Sequence, residues 1–194
     1  MKSVFLIRHG QTLFNRQKKI QGFCDSPLSE VGIKQAEIAG KHIAELGLNF
    51  DAAYSSTSER ACDTLETIID MPYTRVKNLR EWNFGDLEGE GEHLNPPLPY
   101  GDFFVQFGGE EEFAFQKRIV DTVTKLAEET DGENILIVFH GAAIAQFYKY
   151  WEEHSEVRRN GRIQNCSVLH YHYENGEFIL QEIVNHDYSE LEQK

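Results

Sequence analysis

The sequence has few cysteines and too few basic residues to balance its acids. Its three cysteines, Cys24, Cys62 and Cys166, are far apart and form no C-x-x-C pair. This spacing argues against both a disulfide framework and a zinc site. Nineteen Lys and Arg face 32 Asp and Glu, for a net charge of −13 over 194 residues. A field of that sign repels nucleic acids and anionic membranes, so we expect neither as a partner.

Several common motifs are also missing. The sequence contains no Walker loop, no G-x-G-x-x-G turn and no H-E-x-x-H pair. A cleavable leader is not indicated either, because the apolar run Val4–Ile7 is short and is followed at once by Arg8 and His9. With its unpaired cysteines, the chain is predicted to be a cytoplasmic protein without a bound metal or cofactor.

What the sequence does contain is an alternation of strand-like and helix-like segments. Apolar strand-like runs occur at 4–7, 50–54 and 135–139, and each is followed by a helical pattern. The segments 167–173 and 178–184 read as a hairpin turning at Asn175-Gly176. This order predicts one α/β domain over 1–194 with a mostly parallel, mixed sheet.

Two predicted helices follow the first two strands. Ser29 is a candidate N-cap for a helix whose buried stripe we expect to contain Ile33, Ala36, Gly40, Ile43 and Ala44. The second helix should follow the turn at residues 55–58. Its predicted stripe is Ala61, Leu65, Ile68 and Ile69, with Arg60 in the first turn.

The segment 86–112 interrupts this alternation. It is rich in Gly, Pro and acids, and it carries the aromatic residues Tyr100, Phe103, Phe104 and Phe107. A long irregular segment in a compact domain is usually functional or disordered. We expect an insert that forms part of a pocket rim. The alternative is a loop that folds onto its own protein for stability.

Polar clusters end three of the predicted strands. These clusters are Arg8-His9-Gly10, the serine-rich turn that leads to Arg60, and His140-Gly141. Parallel strands bring such ends to one edge of a sheet, where ligands bind in open α/β folds. Arginines and histidines there predict a phosphate site with a nucleophilic histidine. The alternative for any one cluster is a loop whose charges face solvent.

The motifs resemble those of the histidine phosphatase superfamily, which includes phosphoglycerate mutases and fructose-2,6-bisphosphatase. Its R-H-G motif is matched by Leu6–Thr12 with Asn15. The resemblance continues through Gln21-Gly22, Asp25–Ser29, Tyr54–Ser56, Glu59–Ala61, Leu79–Glu81, Phe84-Gly85, Val138–Gly141 and Asn165–Ser167. It implies a three-layer α/β/α fold of the phosphoglycerate mutase type.

The resemblance also implies roles for individual residues. His9 matches the nucleophile that becomes a phosphohistidine, and Glu81 matches the general acid. Arg8, Arg60 and His140 match the rest of the phosphate pocket. Asn15 and Gln21 match side chains that help to hold the transferred phosphoryl group. The residues predicted to bind the substrate phosphate are therefore Arg8, His9, Asn15, Gln21, Arg60 and His140.

The predicted function is that of a metal-independent histidine acid-base phosphatase, a phosphomonoesterase that acts on a phosphorylated small molecule as a monomer or homodimer. The alternatives are a cofactor-dependent phosphoglycerate mutase and a catalytically idle protein that binds phosphorylated ligands. The segment Glu81-Trp82-Asn83-Phe84-Gly85 departs from the Arg-His-Tyr-Gly that follows the mutases' glutamate, and this departure favours the phosphatase. Lys19 stands where many relatives have arginine.

The remaining charged residues are given ordinary surface roles. These are the other histidines (His42, His93, His154, His170, His172 and His186), the cluster Arg158, Arg159 and Arg162, and the acids Glu88, Glu90, Glu92, Glu110, Glu111 and Glu112. We expect the histidines on the surface or in the hairpin and the arginines in a solvated turn, although the arginines could also reach a second anionic group of a substrate. The acids are predicted to be solubilising.

Overall fold

The computed structural model describes residues 1–191, which form one six-stranded mixed sheet with helices on both faces. The strands are β1 (Lys2–Arg8), β2 (Ala52–Ser56), β3 (Thr74–Val76), β4 (Asn134–Phe139), β5 (Val168–Glu174) and β6 (Glu177–Val184). The α-helices are α1 (Leu13–Arg16), α2 (Glu30–Glu45), α3 (Glu59–Ile68), α4 (Glu112–Glu129) and α5 (Gly141–Trp151). Short 3₁₀ turns cover Lys77–Leu79, Gly85–Leu87, Glu92–Leu94, Phe103–Phe107 and Glu152–His154.

The strand order is β3-β2-β4-β1-β5-β6. The pairs β3–β2, β2–β4 and β4–β1 are parallel, whereas β5 pairs antiparallel with β1 and with β6. The predicted α/β class and the mixed, mostly parallel sheet are therefore confirmed. β3, which has no apolar run, and the four-residue α1 were not predicted.

Alternate residues of the central strands supply two cores, one on each face of the sheet. Val4 and Leu6 of β1 pack with α4 and α5, whereas Phe5 and Ile7 pack with α2 and α3. β4 divides its side chains in the same way, as expected from the two-residue period of a strand. Three layers follow, with the sheet between two pairs of helices.

Helix α2 begins at the predicted N-cap, where the Ser29 hydroxyl accepts a hydrogen bond from the Gly32 N–H at 3.0 Å. The predicted stripe is partly wrong, because Ile33 is 42% exposed and Ala44 is exposed as well. The buried face is rotated, since the side chain of Gln35 turns inward to accept the Gln11 N–H at 2.9 Å. A backbone N–H close to the histidine loop is thereby satisfied.

Helix α3 agrees more closely with the sequence. Ala61, Leu65 and Ile68 are buried, and Arg60 lies in the first turn as predicted. Ile69 lies one residue beyond the helix and is only partly buried. Arg60 itself is fully buried, which matters for the site.

The insert 86–112 contains more order than its composition indicates. Phe104 is completely buried, and Tyr100 and Phe103 pack against the same core cluster. Glu112 fastens the insert to the domain, because its carboxylate accepts the Gly101 N–H and the Lys149 ammonium at 2.9 and 3.0 Å. A solubilising role for Glu112 was the wrong prediction.

Candidate active site

Three parallel strands deliver the predicted site residues to one edge of the sheet. β1 ends at Arg8 and is followed by His9, and β4 is followed by His140. β2 leads into α3, which carries Arg60 in its first turn. The rings of His9 and His140 have centroids 5.3 Å apart, and Arg60 Nε lies 3.4 Å from His9 Nε2. The predicted convergence is therefore present.

The His9 ring is fixed as one tautomer by its neighbour. Its Nδ1 lies 2.8 Å from the Gly10 carbonyl oxygen, which can only accept, so Nδ1 carries the proton. Burial, with the charges of Arg60 and Arg8, holds the pKa of His9 well below its ordinary value of 6.5. The ring is therefore neutral at physiological pH, with a lone pair on Nε2.

Arg60 is a fully buried cation whose charge is matched at short range. Its Nη1 forms a 2.8 Å ion pair with Asp25 and donates to the Cys24 carbonyl at 2.9 Å, and its Nη2 donates to the Gly22 carbonyl at 2.9 Å. With both of its amide atoms satisfied, Gln21 accepts from Arg60 Nε at 2.8 Å. These contacts fix the guanidinium beside the histidine ring.

Arg8 and His140 each keep one buried nitrogen without a partner among the described residues. Arg8 Nη1 donates to the Ile163 carbonyl at 2.6 Å, while Arg8 Nε is buried and unpaired against Gly141. His140 Nε2 lies 2.8 Å from the Ser56 hydroxyl, and its Nδ1 is unpaired. Burial holds the pKa of His140 well below its ordinary range, so this ring is neutral too. Unsatisfied buried nitrogens are rare and call for a partner.

Glu81 is buried against the start of α5. Its carboxylate accepts backbone N–H groups of Ala142, Ala143 and Trp82 at 2.9–3.0 Å. Burial raises the pKa of Glu81, and the backbone donors and nearby arginines offset only part of that shift. A carboxyl group with a raised pKa close to the histidines can exchange a proton near neutral pH.

Asn15 and Gln21 lie at the periphery of this cluster. Asn15 Oδ1 accepts the Thr12 N–H at 3.2 Å and the Asn165 amide at 3.3 Å, and the same Asn165 amide donates to the His9 carbonyl at 2.9 Å. Gln21 reaches the cluster through Arg60. The structure thus brings Arg8, His9, Arg60, Glu81 and His140 together and links the other two to them indirectly.

The family model for the histidine phosphatase superfamily, branch 1, matches residues 4–186. The chain belongs to this superfamily. The resemblance found in the sequence is thereby confirmed, and so is the fold that it implied.

Curated relatives include both mutases and phosphatases. A 2,3-bisphosphoglycerate-dependent phosphoglycerate mutase of Bacteroides thetaiotaomicron is 33% identical over 140 residues, which is 69% of this chain and 53% of that protein. The chain thus spans about half the length of this mutase. A metal-independent phosphoserine phosphatase of Arabidopsis thaliana is 30% identical over 192 residues, covering 91% of this chain and 79% of the plant protein.

Solved structures give the same two classes. The phosphoglycerate mutase of Bacillus anthracis superposes with a TM-score of 0.81 at 25% identity, covering 93% of this chain and 91% of that one. The phosphoserine phosphatase of Entamoeba histolytica, in complex with 3-phosphoglyceric acid, gives 0.77 at 27% identity, covering 96% and 98%. The superfamily and these relatives together support phosphoryl chemistry for this chain.

Sequence reasoning missed three polar residues of this superfamily site. Asp25 pairs with Arg60, Ser56 with His140, and Asn165 with the His9 backbone. Asp25 and Asn165 belong to motifs that carried the resemblance, and Ser56 ends a predicted strand. Residue type and position thus gave a signal, but their partners are set by the tertiary fold.

Glu88 was also misjudged, because it is not a solubilising residue. Its carboxylate accepts backbone N–H groups of Phe23 at 2.8 Å, Phe84 at 3.2 Å and Cys24. It therefore joins the loop that holds Arg60 to the segment that follows Glu81. Gly22 permits this contact, since a Cβ there would lie 2.1 Å from the Trp82 carbonyl oxygen.

The other histidines and arginines are only partly as predicted. His170 is half-buried and stacks on Phe5 with ring centroids 4.3 Å apart, and burial lowers its pKa to about 4. Arg158 donates to the Glu152 carbonyl at 2.5 Å, and Arg159 lies over the Tyr148 ring. Arg162 is exposed.

Two further searches of residues 1–191 gave no match. They contain no group of three or more His, Cys, Asp or Glu side chains placed to hold a metal ion. Within the same range, no helix has the length and apolar character needed to cross a membrane.

Proposed function

We propose that this protein is a phosphomonoesterase that hydrolyses a phosphorylated small molecule through a phosphohistidine at His9. The observation that carries the proposal is the pairing of a neutral imidazole with two unsatisfied buried nitrogens, Arg8 Nε and His140 Nδ1. Phosphate oxygens are the acceptors that would satisfy both nitrogens at once. A cytoplasmic location is part of the proposal, because all three cysteines are free thiols.

The first chemical step forms the phosphohistidine. His9 Nε2 attacks phosphorus, the bond from phosphorus to the ester oxygen breaks, and Glu81 gives its proton to that oxygen. Arg8, Arg60 and His140 stabilise the charge that is redistributed over the phosphoryl oxygens.

The second step regenerates the enzyme. Water attacks phosphorus, gives a proton to the Glu81 carboxylate, and the bond from phosphorus to His9 Nε2 breaks, releasing inorganic phosphate. Asn15 and Gln21 support the transferred group from the periphery, through Asn165 and Arg60 respectively.

Two observations favour hydrolysis over mutase chemistry. The similarity to the plant phosphoserine phosphatase extends over 91% of this chain and 79% of that protein, whereas the Bacteroides mutase is matched over only 53% of its length. The residues after Glu81 also differ from the mutase pattern. Phosphoserine and 3-phosphoglycerate are thus the first substrates to test.

A phosphate-release screen tests this function directly. It should cover phosphoserine, phosphoglycerates, sugar phosphates, nucleotides and phosphopeptides, with the interconversion of phosphoglycerates measured alongside. We expect release from at least one small phosphomonoester and slow interconversion. Fast interconversion with little release would make the protein a mutase, and binding without either reaction would make it a non-catalytic binding protein.

Activity should not depend on a metal ion, because the arginines neutralise the phosphate. We expect full activity after prolonged treatment with EDTA. Orthovanadate should inhibit, since it mimics five-coordinate phosphorus. A loss with EDTA that Mg²⁺ or Mn²⁺ restores would contradict this prediction.

We further propose that the insert 86–112 forms part of the pocket rim through Tyr100. Its ring lies 5.4 Å from that of Trp82, which follows Glu81, and the charges of Arg162 and Glu81 both act on the pKa of its phenol. Phe104 is a poor probe of the rim because it is wholly in the core.

Tyr100→Ala should therefore change relative kcat/KM among alkyl phosphates by about tenfold, as expected for one lost pocket contact. Turnover of p-nitrophenyl phosphate should stay within a fewfold of the unaltered protein. Val105→Ala, at a 49% exposed position of the same insert, is the matched control. Equal losses on all substrates, or a lower Tm alone, would give the insert a structural role only.

A further inference from the structure

A paired carboxylate and guanidinium lie behind the segment that carries Glu81. Arg118 Nε donates to Glu110 Oε1 at 2.8 Å, and Arg118 Nη2 donates to Glu110 Oε2 at 2.7 Å. The side chains are only 18% and 23% exposed, and the Arg118 guanidinium lies 5.1 Å from the Phe115 ring centroid. This is a two-point, partly buried pair, unlike the solvated acid run that the sequence indicated.

The remaining N–H groups of Arg118 hold the backbone next to Glu81. Nη1 donates to the carbonyl oxygens of Asn78 at 2.8 Å and Arg80 at 2.9 Å, and Nη2 also donates to that of Glu81 at 3.2 Å. One guanidinium thus binds three carbonyl groups within four residues. A lysine has no planar fork with which to make this set of contacts.

Glu110 holds the same segment from its other end. Its Oε2 accepts the Asn83 N–H at 2.9 Å, and its backbone N–H donates to the Asn83 carbonyl at 2.9 Å. Its carbonyl oxygen accepts the Trp82 indole N–H at 2.8 Å. Residues 80–84 belong to no helix or strand, so these contacts replace regular hydrogen bonding there.

We propose that Glu110 and Arg118 are positioning residues that set the Glu81 carboxyl group at the leaving oxygen. The inference rests on the proposed function, in which Glu81 is the proton donor. Neither residue contacts the substrate, and both act through the backbone on each side of Glu81. A misplacement of about 1 Å in such a group can cost on the order of 10²-fold in rate.

The test compares two leaving groups. Arg118→Met should lower kcat on an alkyl phosphate by about 10- to 100-fold, but lower p-nitrophenyl phosphate turnover by no more than about threefold, since nitrophenolate departs without a proton. Arg118→Lys should not rescue the alkyl substrate. Glu110→Gln keeps the size of the side chain and should give a smaller loss of the same kind.

Lys117→Met is the matched control. It removes a positive charge from the adjacent position of α4, where Lys117 forms only an exposed pair with Asp121. Its effect on both substrates should be within twofold. Tm values for all variants report how much stability each change costs.

A double-mutant cycle separates positioning from general support. If Arg118 acts through the acid, Arg118→Met should cause no further loss on alkyl phosphates in a Glu81→Gln background. The second variant, Glu110→Gln, should behave in the same way and is the substitute if Arg118→Met does not fold.

Three results would overturn the inference. These are equal losses on both substrates, full additivity with Glu81→Gln, and no loss on either substrate. Failure of the proposed function would look different, because His9→Ala would then retain p-nitrophenyl phosphate turnover while the Arg118 comparison could still be read.

Discussion

His9→Ala should lower turnover by on the order of 10⁴-fold or more on every substrate, because no other group can form the covalent intermediate. The loss should include p-nitrophenyl phosphate, since a good leaving group does not replace the nucleophile. The side chain is 4% exposed, and its removal leaves the Gly10 carbonyl without its donor. We therefore expect a modest decrease in Tm that is far too small to explain the kinetic loss.

Labelled substrate provides the direct measurement. The unaltered protein, quenched in alkali, should carry stoichiometric phosphate that acid releases, and His9→Ala should carry none. His93→Ala is the control, because His93 is an exposed histidine of the insert. Near-normal turnover in His9→Ala, or label that persists in it, would refute the phosphohistidine mechanism.

Glu81→Gln should slow alkyl phosphates by about 10²-fold or more and slow p-nitrophenyl phosphate much less. Glutamine keeps the size of the side chain but has no proton to give. An alkoxide is a poor leaving group near pH 7, so the missing proton is felt most by alkyl esters. The measurement is kcat over a series of leaving groups, whose rates should become more sensitive to leaving-group pKa.

The pH profile of the same variant gives a second readout. Since burial raises the pKa of Glu81, its protonated form extends to higher pH than for a solvated glutamate, and activity on alkyl phosphates should fall as pH rises through that pKa. Glu81→Gln should lose this alkaline limb. Glu45→Gln, at an exposed position of α2, should keep it. Equal losses on alkyl and aryl phosphates would mean that Glu81 positions phosphate or supports the fold.

The sequence was sufficient to predict the sheet edge that carries the site. A buried strand ending in Arg8 and His9, and another ending before His140, are local patterns, and parallel pairing brings their ends together without further information. The burial of Arg60 was beyond such reasoning. A first-turn arginine is usually solvated, and the carbonyl groups that enclose this one lie more than thirty residues away in the chain.

The acids of the insert illustrate the same limit. Glu88, Glu110 and Glu112 belong to charged runs that look like solvated surface, yet each accepts backbone N–H groups. The partners of Glu88 at Phe23 and Cys24 are separated from it by about sixty residues. Charge and periodicity describe a residue's neighbours along the chain, whereas the role of a carboxylate depends on neighbours that only the tertiary fold supplies.

The central place of β1 in the sheet has a consequence for synthesis of the chain. This strand is among the first residues made, but its two neighbours, β4 and β5, begin at Asn134 and Val168. At roughly 5–20 residues per second, both edges of an apolar strand wait on the order of 10 s for their partners. During that time, the segment that ends in the nucleophile is an unpaired, aggregation-prone strand on the ribosome. A nascent chain stalled before Asn134 should therefore depend on chaperones for solubility more than the finished protein does.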